Sequence, residues 1–272
     1  MPTVTDDAAF DALATKIARE RGFGATNYRD SCLRRRIAVR MRARGVADFG
    51  AYSQLLDRDP AEWEPLLDAL TINVTKLFRD RAVYEAMARD VVPAVWAMPA
   101  PALRVWSAGC SSGEEPYSLA VLFHAQATAV QQLARLARLQ IIASDIDKGS
   151  LERAGRATYP ESAFGDAPES LRRRYFSAGT PSVVAPEARA LVQFERRDLL
   201  NDPAPPGPLQ LITCRNVVIY FDAAAQQALF QRFFDALQPG GFLVLGQVET
   251  LLGAARTLFE AVDARHRIFR RP

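Results

Sequence analysis

The stretch LRVWSAGCSSGEEPYSLA (103–120) marks the point where the sequence changes from helical segments to alternating strands and helices. It joins a short apolar run to a long helix through a loop of glycine, serine and other small residues. Further apolar runs that predict strands follow at 139–147, 191–200, 208–216 and 242–246. Strands and helices that alternate over ~170 residues indicate a parallel sheet with helices on both faces. The tail at 258–271 predicts one or two antiparallel strands that close the sheet.

The rest of the chain predicts a second, smaller domain. Residues 1–70 contain apolar positions at helical spacing, which indicates a small N-terminal helical domain. The stretch TINVTKLFRD (71–80) loses that spacing and predicts a connector to the sheet domain at 81–272. The segment at about 159–190, where proline-bounded pieces flank a charged helix, predicts a small subdomain inserted before the third strand. The fold class is therefore α/β with an added helical domain.

The composition excludes several classes of protein and site. No run of about 18 or more apolar residues occurs, so no transmembrane helix is expected, and from the acidic N-terminus we expect no secretory signal. The three cysteines lie far apart, which fits a reduced, cytoplasmic compartment better than a disulfide framework. With only His124 and His266, a histidine-based zinc site or catalytic triad is poorly supplied, and we expect no metal.

The loop after the first predicted strand is a candidate ligand site, because open parallel sheets bind ligands beyond the carboxyl ends of their strands. Its glycines are spaced G-x-x-x-G (Gly109 and Gly113), which differs from the dinucleotide fingerprint. The adjacent Glu114 and Glu115 disfavour a phosphate and favour a cationic ligand, such as the sulfonium and ammonium groups of S-adenosylmethionine. A tight strand-to-helix turn without a ligand explains the small residues equally well.

The next two predicted strands end in acidic residues. Asp145 stands at the tip of the second strand, where a carboxylate can accept hydrogen bonds from both hydroxyls of a ribose. Its alternative role is the N-cap of the following helix, which Asp147 fits better. Asp198 and Leu199 end the third strand and could hold an adenine by its amino group and its face. These two residues alone do not decide between a ligand contact and a turn.

The fourth predicted strand ends in CRNVVIYF (214–221). Arg215 and Asn216 follow a strand that is buried on both faces, so they need polar partners. A ligand with carboxylate and ribose groups would supply such partners. Tyr220 lies five residues beyond Arg215, and its alternative role is an aromatic side chain packed on the sheet edge.

The segment 28–45 is unusually basic, with seven arginines and one acidic residue. Leu33, Ile37 and Met41 recur every four residues and therefore form one apolar face of a helix. The arginines lie away from that face. They form either a solvated surface or a docking surface for an acidic partner.

Taken together, these stretches resemble the CheR family of chemotaxis receptor methyltransferases. The matching stretches, in the order of the family, are TINVTKLFRD, RVWSAGCSSGEEPYSLA, ASDID, ERRDLL, CRNVVIYFD and GFLVLGQVE. The resemblance covers nearly the whole chain and implies a Rossmann-like domain that uses S-adenosylmethionine. It implies methyl transfer to glutamate side chains on the cytoplasmic helices of methyl-accepting chemotaxis receptors. Glutamate methyl esters and S-adenosylhomocysteine would be the products.

The resemblance also implies roles for individual residues. Those that would contact the cofactor are Asn73, Thr75, Arg79, Glu114, Asp145, Asp198, Leu199, Arg215 and Asn216. The catalytic residues, which would flank the transferred methyl group, are Arg79 and Tyr220. On the arginine-rich helix, the residues that would contact the receptor are Arg36, Arg40 and Arg42.

The chain departs from the family pattern in two places. Asp198 stands where some relatives have asparagine, and the segment between Phe176 and Val192 is shorter than in relatives whose insertion binds a C-terminal peptide of the receptor. Binding of such a peptide is therefore not implied for this chain. We expect a monomer, with no nucleic-acid partner and no insertion into a membrane.

Two other functions remain open. A nucleic-acid methyltransferase would hold phosphates with the arginine-rich helix. However, amino-group methylators of bases commonly have an Asn/Asp-Pro-Pro-aromatic run where this chain has Arg-Asn-Val-Val, and the basic segment lacks interleaved aromatic residues that stack bases. The other alternative is a non-catalytic signalling module that binds S-adenosylmethionine.

Overall fold

The computed structural model describes residues 4–70 and 75–272, and the chain divides into two compact units. The helical unit combines Met1–Asn73 with Tyr220–Ala225, and the sheet unit combines Val74–Ile219 with Gln226–Pro272. Tyr220–Ala225 follows a strand of the sheet in sequence but belongs to the helical unit by its contacts. Hydrophobic periodicity does not reveal that division.

The helical unit contains four α-helices among its described residues: α1 (Val4–Arg21), α2 (Asp30–Ala43), α3 (Phe49–Arg58) and α4 (Trp63–Leu70). Gly22 and Gly45 both have a φ of +65° and end α1 and α2, because a residue without a Cβ adopts the left-handed conformation at low cost. Asp48 begins α3, where its carboxylate accepts a hydrogen bond from the N–H of Ala51 at 2.7 Å. The prediction of a helical N-terminal domain is confirmed.

The apolar face of α2 is buried as its sequence predicts. Leu33, Ile37 and Met41 are the buried residues of this helix, and α2 packs against α4. The four-residue spacing thus correctly identified the side of the helix that contacts the rest of the unit.

A buried carboxylate ties the helices of this unit together. Glu62, which precedes α4, is only 1% exposed. Its oxygens accept hydrogen bonds from Nε and Nη2 of Arg40 at 2.8 and 2.9 Å, from Nη1 of Arg44 at 2.9 Å and from the hydroxyl of Tyr52 at 2.8 Å. Because a buried charge is tolerated only with such partners, these two arginines stabilise the unit itself.

The sheet unit follows the alternating pattern of the sequence. Its elements are, in chain order, α5 (Arg81–Ala86), α6 (Val92–Ala97), β1 (Leu103–Ala108), α7 (Glu114–Ala129), β2 (Leu139–Asp145), α8 (Lys148–Arg156), β3 (Thr158–Tyr159), α9 (Glu169–Tyr175), β4 (Ser182–Val183), α10 (Pro186–Arg189), β5 (Val192–Arg196), β6 (Leu209–Cys214), most of α11 (Ala223–Ala236), β7 (Leu237–Leu245), α12 (Ala255–Leu258), β8 (Glu260–Asp263) and β9 (Ile268–Arg270). A π turn at Met87–Val91 joins α5 to α6, close to Pro93, which has no N–H to donate within the helix. No helix of the described residues is long and apolar enough to cross a membrane.

Within the described residues, seven strands form one sheet in the order β5-β2-β1-β6-β7-β9-β8. The first five of these are parallel, and β9 runs antiparallel to both β7 and β8. The five predicted strands and the antiparallel closure by the tail are confirmed. The chain leaves β1 toward β2 on one side and returns to β6 on the other, and open α/β sheets bind ligands at the carboxyl ends of the strands at such a switch point.

The segment between α8 and β5 differs from its prediction. Its strands β3 and β4 pair antiparallel in a separate ribbon, with α9 between them. However, Tyr159, Phe164, Tyr175 and Phe176 are buried in the same apolar core as the large sheet. The hydroxyl of Tyr175 also lies 3.0 Å from Nδ1 of His124 on α7. The segment is therefore part of this core, and a separate inserted subdomain is not confirmed.

Candidate active site

The loop between β1 and α7 is shaped by two glycines in the left-handed conformation. At Gly109, where φ is +82°, a Cβ would lie 2.5 Å from Cγ2 of Val217. At Gly113, where φ is +94°, a Cβ would lie 2.8 Å from the hydroxyl oxygen of Tyr159. Both positions thus need glycine for backbone conformation and for close packing. The small residues of this loop serve the strand-to-helix turn, whatever ligand they also accommodate.

Asp145, at the end of β2, holds this loop in place. One carboxylate oxygen accepts a hydrogen bond from the N–H of Ser111 at 2.8 Å, and the other accepts one from the N–H of Asp147 at 3.0 Å. The pKa of Asp145 is raised overall, because burial raises it by more than these two N–H donors lower it. Asp147 caps α8 by accepting a hydrogen bond from the N–H of Gly149 at 2.9 Å, as its sequence position predicted. The contact of Asp145 with a ribose stays a prediction.

The adjacent glutamates of α7 have different partners. Glu114 is only 6% exposed, and its carboxylate accepts a hydrogen bond from the hydroxyl of Ser112 at 2.8 Å. Burial raises the pKa of Glu114. Oε1 of Glu115 accepts hydrogen bonds from the hydroxyls of Ser107 on β1, at 2.8 Å, and of Thr213 on β6, at 2.6 Å. Glu115 therefore ties the two strands at the switch point, and Glu114 is the better candidate for contact with a cationic ligand.

Arg215 joins the tip of β6 to the connector. Its side chain is only 2% exposed. Nη2 donates hydrogen bonds to the main-chain oxygen of Arg79 and to Oδ2 of Asp80, both at 2.8 Å. The guanidinium carbon lies 5.2 Å from the ring centroid of Tyr84, and Nη1 lies 3.7 Å from Oε2 of Glu115. The arginine predicted to need polar partners thus finds most of them within the protein.

One donor of Arg215 is left over. Its Nε is buried, and no described residue accepts a hydrogen bond from it. A buried N–H without an acceptor costs about 1–3 kcal/mol, so a ligand that brings an acceptor to this atom is favoured. S-adenosylmethionine fits this requirement, because its amino-acid end carries a carboxylate. Burial lowers the pKa of Arg215, but the neighbouring phenol and carboxylates raise it by a larger amount. The pKa therefore lies above its ordinary value, and the guanidinium is charged.

Main-chain hydrogen bonds fix the described part of the connector to the sheet unit. The N–H of Phe78 donates to the hydroxyl of Ser118 on α7 at 2.9 Å. The N–H of Asp80 donates to Oδ2 of Asp166 at 3.1 Å. Phe78 and Asp80 both have positive φ angles, of +55° and +61°, so these bonds hold an uncommon backbone conformation.

The cofactor contacts predicted on the connector fall on Asn73, Thr75 and Arg79. Thr75 and Arg79 are partly exposed, and they lie in or next to the segment that these bonds anchor. Asn73 lies outside the described residues. The roles of all three residues stay predictions.

Glu249 is a buried acid that contacts the turn after β6, and the sequence interpretation did not identify it. It follows β7 and is only 2% exposed. Its carboxylate accepts hydrogen bonds from the N–H groups of Asn216 at 2.9 Å, Val217 at 2.8 Å and Gly246 at 2.6 Å. The pKa of Glu249 is raised overall, because burial raises it by more than these N–H groups lower it. The sequence signal lies in GFLVLGQVE, where an acid closely follows a buried strand.

The carboxylate of Asp198 accepts hydrogen bonds within the turn that follows β5. The donors are the N–H of Leu200, at 2.8 Å, and Nδ2 of Asn201, at 2.7 Å. Leu199 is buried, with 7% exposure. The turn explains the acid without a ligand, and the predicted adenine contact of both residues stays a prediction.

Tyr220 ends a 3₁₀ turn at Val218–Tyr220 and is partly buried. It belongs to the helical unit, where its main-chain oxygen accepts a hydrogen bond from the N–H of Arg29 at 2.9 Å. Its assignment to the transferred methyl group stays a prediction.

The three arginines predicted to contact a receptor differ in their surroundings. Arg42 is exposed, and Arg36 is partly exposed, with Nη1 donating to the main-chain oxygen of Ala69 at 3.3 Å. Arg40 instead donates hydrogen bonds from its Nε and Nη2 to the buried Glu62. We therefore expect Arg36 and Arg42 to be better placed than Arg40 to contact another protein.

In the part of the chain that the structure describes, no group of three or more His, Cys, Asp or Glu side chains is placed to hold a metal ion.

Two family models match the chain. The model "CheR methyltransferase, SAM binding domain" matches residues 73–268, and the model "CheR methyltransferase, all-alpha domain" matches residues 8–71. Their boundary falls in the predicted connector.

Curated proteins are also similar to the chain. A chemotaxis protein methyltransferase of Listeria innocua is 33% identical over 240 residues, which cover 88% of each chain. Chemotaxis protein methyltransferase 2 of Pseudomonas aeruginosa is 34% identical over 253 residues, which cover 90% of this chain and 88% of the relative. An uncharacterized 104.1 kDa protein of Rhodobacter capsulatus is 36% identical over 246 residues, which cover 89% of this chain but only 25% of that protein. The chain thus spans a quarter of this third relative and most of the other two.

Proposed function

Because the chain belongs to the CheR methyltransferase family, we propose that it transfers the methyl group of S-adenosylmethionine to glutamate side chains of methyl-accepting chemotaxis receptors. The products are glutamate methyl esters and S-adenosylhomocysteine. The structural observation that supports this proposal best is the buried Nε of Arg215, which has no acceptor among the described residues, close to the anchored connector.

The residues around the switch point suit the parts of S-adenosylmethionine. Arg215 would donate to its carboxylate, and Glu114 would lie near its ammonium group. Asp145 would accept from its ribose, and Asp198 with Leu199 would hold its adenine. Thr75, Arg79, Asn216 and Asn73 would complete the contacts.

The proposed reaction asks little of the protein in acid–base chemistry. When bound, S-adenosylmethionine supplies a methyl carbon that its sulfonium activates toward nucleophiles. A glutamate has a pKa of about 4.3, so it is already ionised at neutral pH and needs no general base. The task of the chain is to align the carboxylate oxygen, which is a positioning effect. We assign that alignment to the guanidinium of Arg79 and the hydroxyl of Tyr220.

The proposed partner and location follow from the family. We propose that the enzyme acts in the cytoplasm, as a monomer, on the cytoplasmic helices of receptors, and that neither nucleic acid nor a receptor's C-terminal peptide is its ligand. The exposed Arg42 and the partly exposed Arg36 support docking to an acidic helix.

Two measurements test the proposal. Calorimetry with S-adenosylmethionine and S-adenosylhomocysteine should detect binding, and a chain that binds neither is not a methyltransferase. Transfer of radiolabelled methyl should then give base-labile label on receptor protein, as expected for a methyl ester. Label on RNA would support a nucleic-acid methyltransferase instead. Binding without any transfer would support a signalling module.

Tyr220→Phe should slow methyl transfer roughly fivefold to tenfold and leave the affinity for S-adenosylhomocysteine nearly unchanged, because one hydroxyl contact to the reacting carboxylate is lost. Initial rates at saturating cofactor, together with calorimetry, measure the two effects. Tyr175→Phe is the matched control, since it removes a hydroxyl that contacts His124. If Tyr220→Phe turns over like the unaltered protein, the tyrosine has no part in the reaction.

Reversing the charge of Arg36 and Arg42 to glutamate should weaken receptor binding about tenfold, because rim charges at an interface contribute mainly through electrostatic complementarity. The affinity for S-adenosylhomocysteine should not change. Arg19→Glu with Arg58→Glu provides a control with the same change in net charge at exposed positions of the same unit. Equal loss of receptor binding in both double variants would exclude a docking surface on α2.

A further inference from the structure

We infer that Glu249 is a positioning residue of the cofactor site, which holds Asn216 in the backbone conformation that cofactor binding requires. The inference rests on the proposed function, because it assigns Asn216 to the cofactor. It adds a residue from beyond β7 to a site that motif positions place on the connector and on the loops after β1, β2, β5 and β6.

The first support is the geometry of the carboxylate. Oε1 of Glu249 accepts from the N–H of Val217, and Oε2 accepts from the N–H groups of Asn216 and Gly246. Two of these donors are the N–H groups on either side of the Cα of Asn216, and the third, on Gly246, directly follows β7. One side chain therefore fixes the turn after β6 against the end of the neighbouring strand.

The second support is the conformation that is held. Asn216 has a φ of +62°, in the left-handed region that residues other than glycine enter uncommonly. Such conformations persist where the surroundings over-determine them, and they cluster at functional sites. The bonds to Glu249 on both sides of Asn216 are such a determinant.

The third support is the close fit at Gly246. A Cβ on this residue would lie 2.7 Å from Oε2 of Glu249 and 2.8 Å from the main-chain nitrogen of Asn216. Gly246, directly after β7, thus lies close to both the carboxylate and the turn. A residue with a Cβ at this position would clash with the carboxylate and with the turn, so glycine permits the contact.

A glutamine cannot replace Glu249 in this arrangement. Its amide offers one acceptor oxygen where the carboxylate offers two, and its NH₂ group would face at least one N–H donor. Glu249→Gln keeps the size of the side chain and removes the acceptor that the turn needs. It is therefore the variant that separates the hydrogen bonds from the packing.

The test is a double-mutant cycle on the affinity of the full chain for S-adenosylhomocysteine, measured by calorimetry. Glu249→Gln should weaken binding about tenfold in the otherwise unaltered protein. In an Asn216→Ala background, the same change should weaken binding by less than about threefold, because residues that act through one another are not additive. Glu260→Gln, on an exposed side chain of β8, should leave binding unchanged.

A steady-state measurement gives a second readout that a merely structural role would not produce. Glu249→Gln should raise KM for S-adenosylmethionine about tenfold while kcat at saturating cofactor stays within about threefold, as expected when ground-state binding is lost. If this variant unfolds at the assay temperature, the same double-mutant cycle is measured with Glu249→Asp, which keeps the negative charge on a shorter side chain.

The outcomes separate this inference from the proposed function. Equal losses of affinity in both backgrounds, or unaltered binding by Glu249→Gln, would overturn the positioning role while the unaltered protein still methylates receptors. An unaltered chain that does not bind S-adenosylhomocysteine would overturn the proposed function and this inference with it.

Discussion

Replacing Arg215 with lysine is expected to lower kcat/KM for methyl transfer about 100-fold, because lysine cannot reproduce the planar fork of a guanidinium. Nη2 of Arg215 donates to the main-chain oxygen of Arg79 and to Oδ2 of Asp80, and Nε, which has no acceptor among the described residues, is proposed to donate to the cofactor. A lysine has one nitrogen for these tasks. Hydrogen bonds that involve a charged group contribute about 1.5–3 kcal/mol, so the loss of one or two of them accounts for the expected factor.

The lysine variant is preferable to an apolar one, since it leaves a positive charge beside Asp80 and Glu115. Its affinity for S-adenosylhomocysteine should fall together with kcat/KM, which calorimetry checks. Arg270→Lys is the control, because that arginine forms an exposed ion pair with Glu260. If Arg215→Lys keeps both its activity and its affinity, the buried guanidinium does not serve the site.

Replacing Glu62 with glutamine is expected to lower the free energy of unfolding by about 3 kcal/mol at neutral pH, because it leaves the partly buried Arg40 without its counter-charge, whereas Arg44 keeps its ion pair with Asp59. The carboxylate accepts from Arg40, Arg44 and Tyr52, and an amide can satisfy only part of that set. Urea unfolding followed by circular dichroism measures the change. Glu64→Gln, two residues away on an exposed position of α4, should change stability little.

The pH dependence of this difference has a definite sign. Burial raises the pKa of Glu62, but hydrogen bonds from Arg40 and Tyr52 lower it by a larger amount. Its pKa in the folded protein therefore lies below its ordinary value. A carboxylate with a lowered pKa stabilises the fold fully above its unfolded pKa of about 4.3 and loses that contribution as the pH falls through the folded pKa. The stabilities of Glu62→Gln and the unaltered protein should therefore converge in acid. A constant difference down to low pH would show that charge is not the cause.

Much of the fold could be predicted because the signals are local. The apolar runs that predicted five parallel strands lie within a few residues of the observed β1, β2, β5, β6 and β7. The exceptions have physical reasons. The π turn between α5 and α6 lies near a proline that helical periodicity does not register, and β7 begins at Leu237, five residues before the predicted strand at 242–246.

The candidate site could be predicted only as a set of residue types at the ends of strands. The pair Glu114 and Glu115 had a single interpretation in the sequence, yet one carboxylate bonds a local serine and the other bridges two strands. Arg40 looked like a surface arginine from its helical position, yet it pairs with a buried acid. Thr213, which bonds Glu115, and Glu62, which pairs with Arg40, both lie far along the chain from their partners, and residue spacing alone does not show such contacts.

The sequence by itself determined the order of strands and helices, the buried face of α2 and membership of the family, because periodicity and motif spacing are properties of neighbouring residues. Only the tertiary structure decided which polar groups meet. Thr213 bonds Glu115 from 98 residues away, and Arg215 bonds Asp80 from 135 residues away. The parallel sheet brings residues that are distant in sequence together, because it places the ends of distant strands at one edge. The hydrogen bonds that form there depend on the register and packing of whole elements rather than on any local pattern.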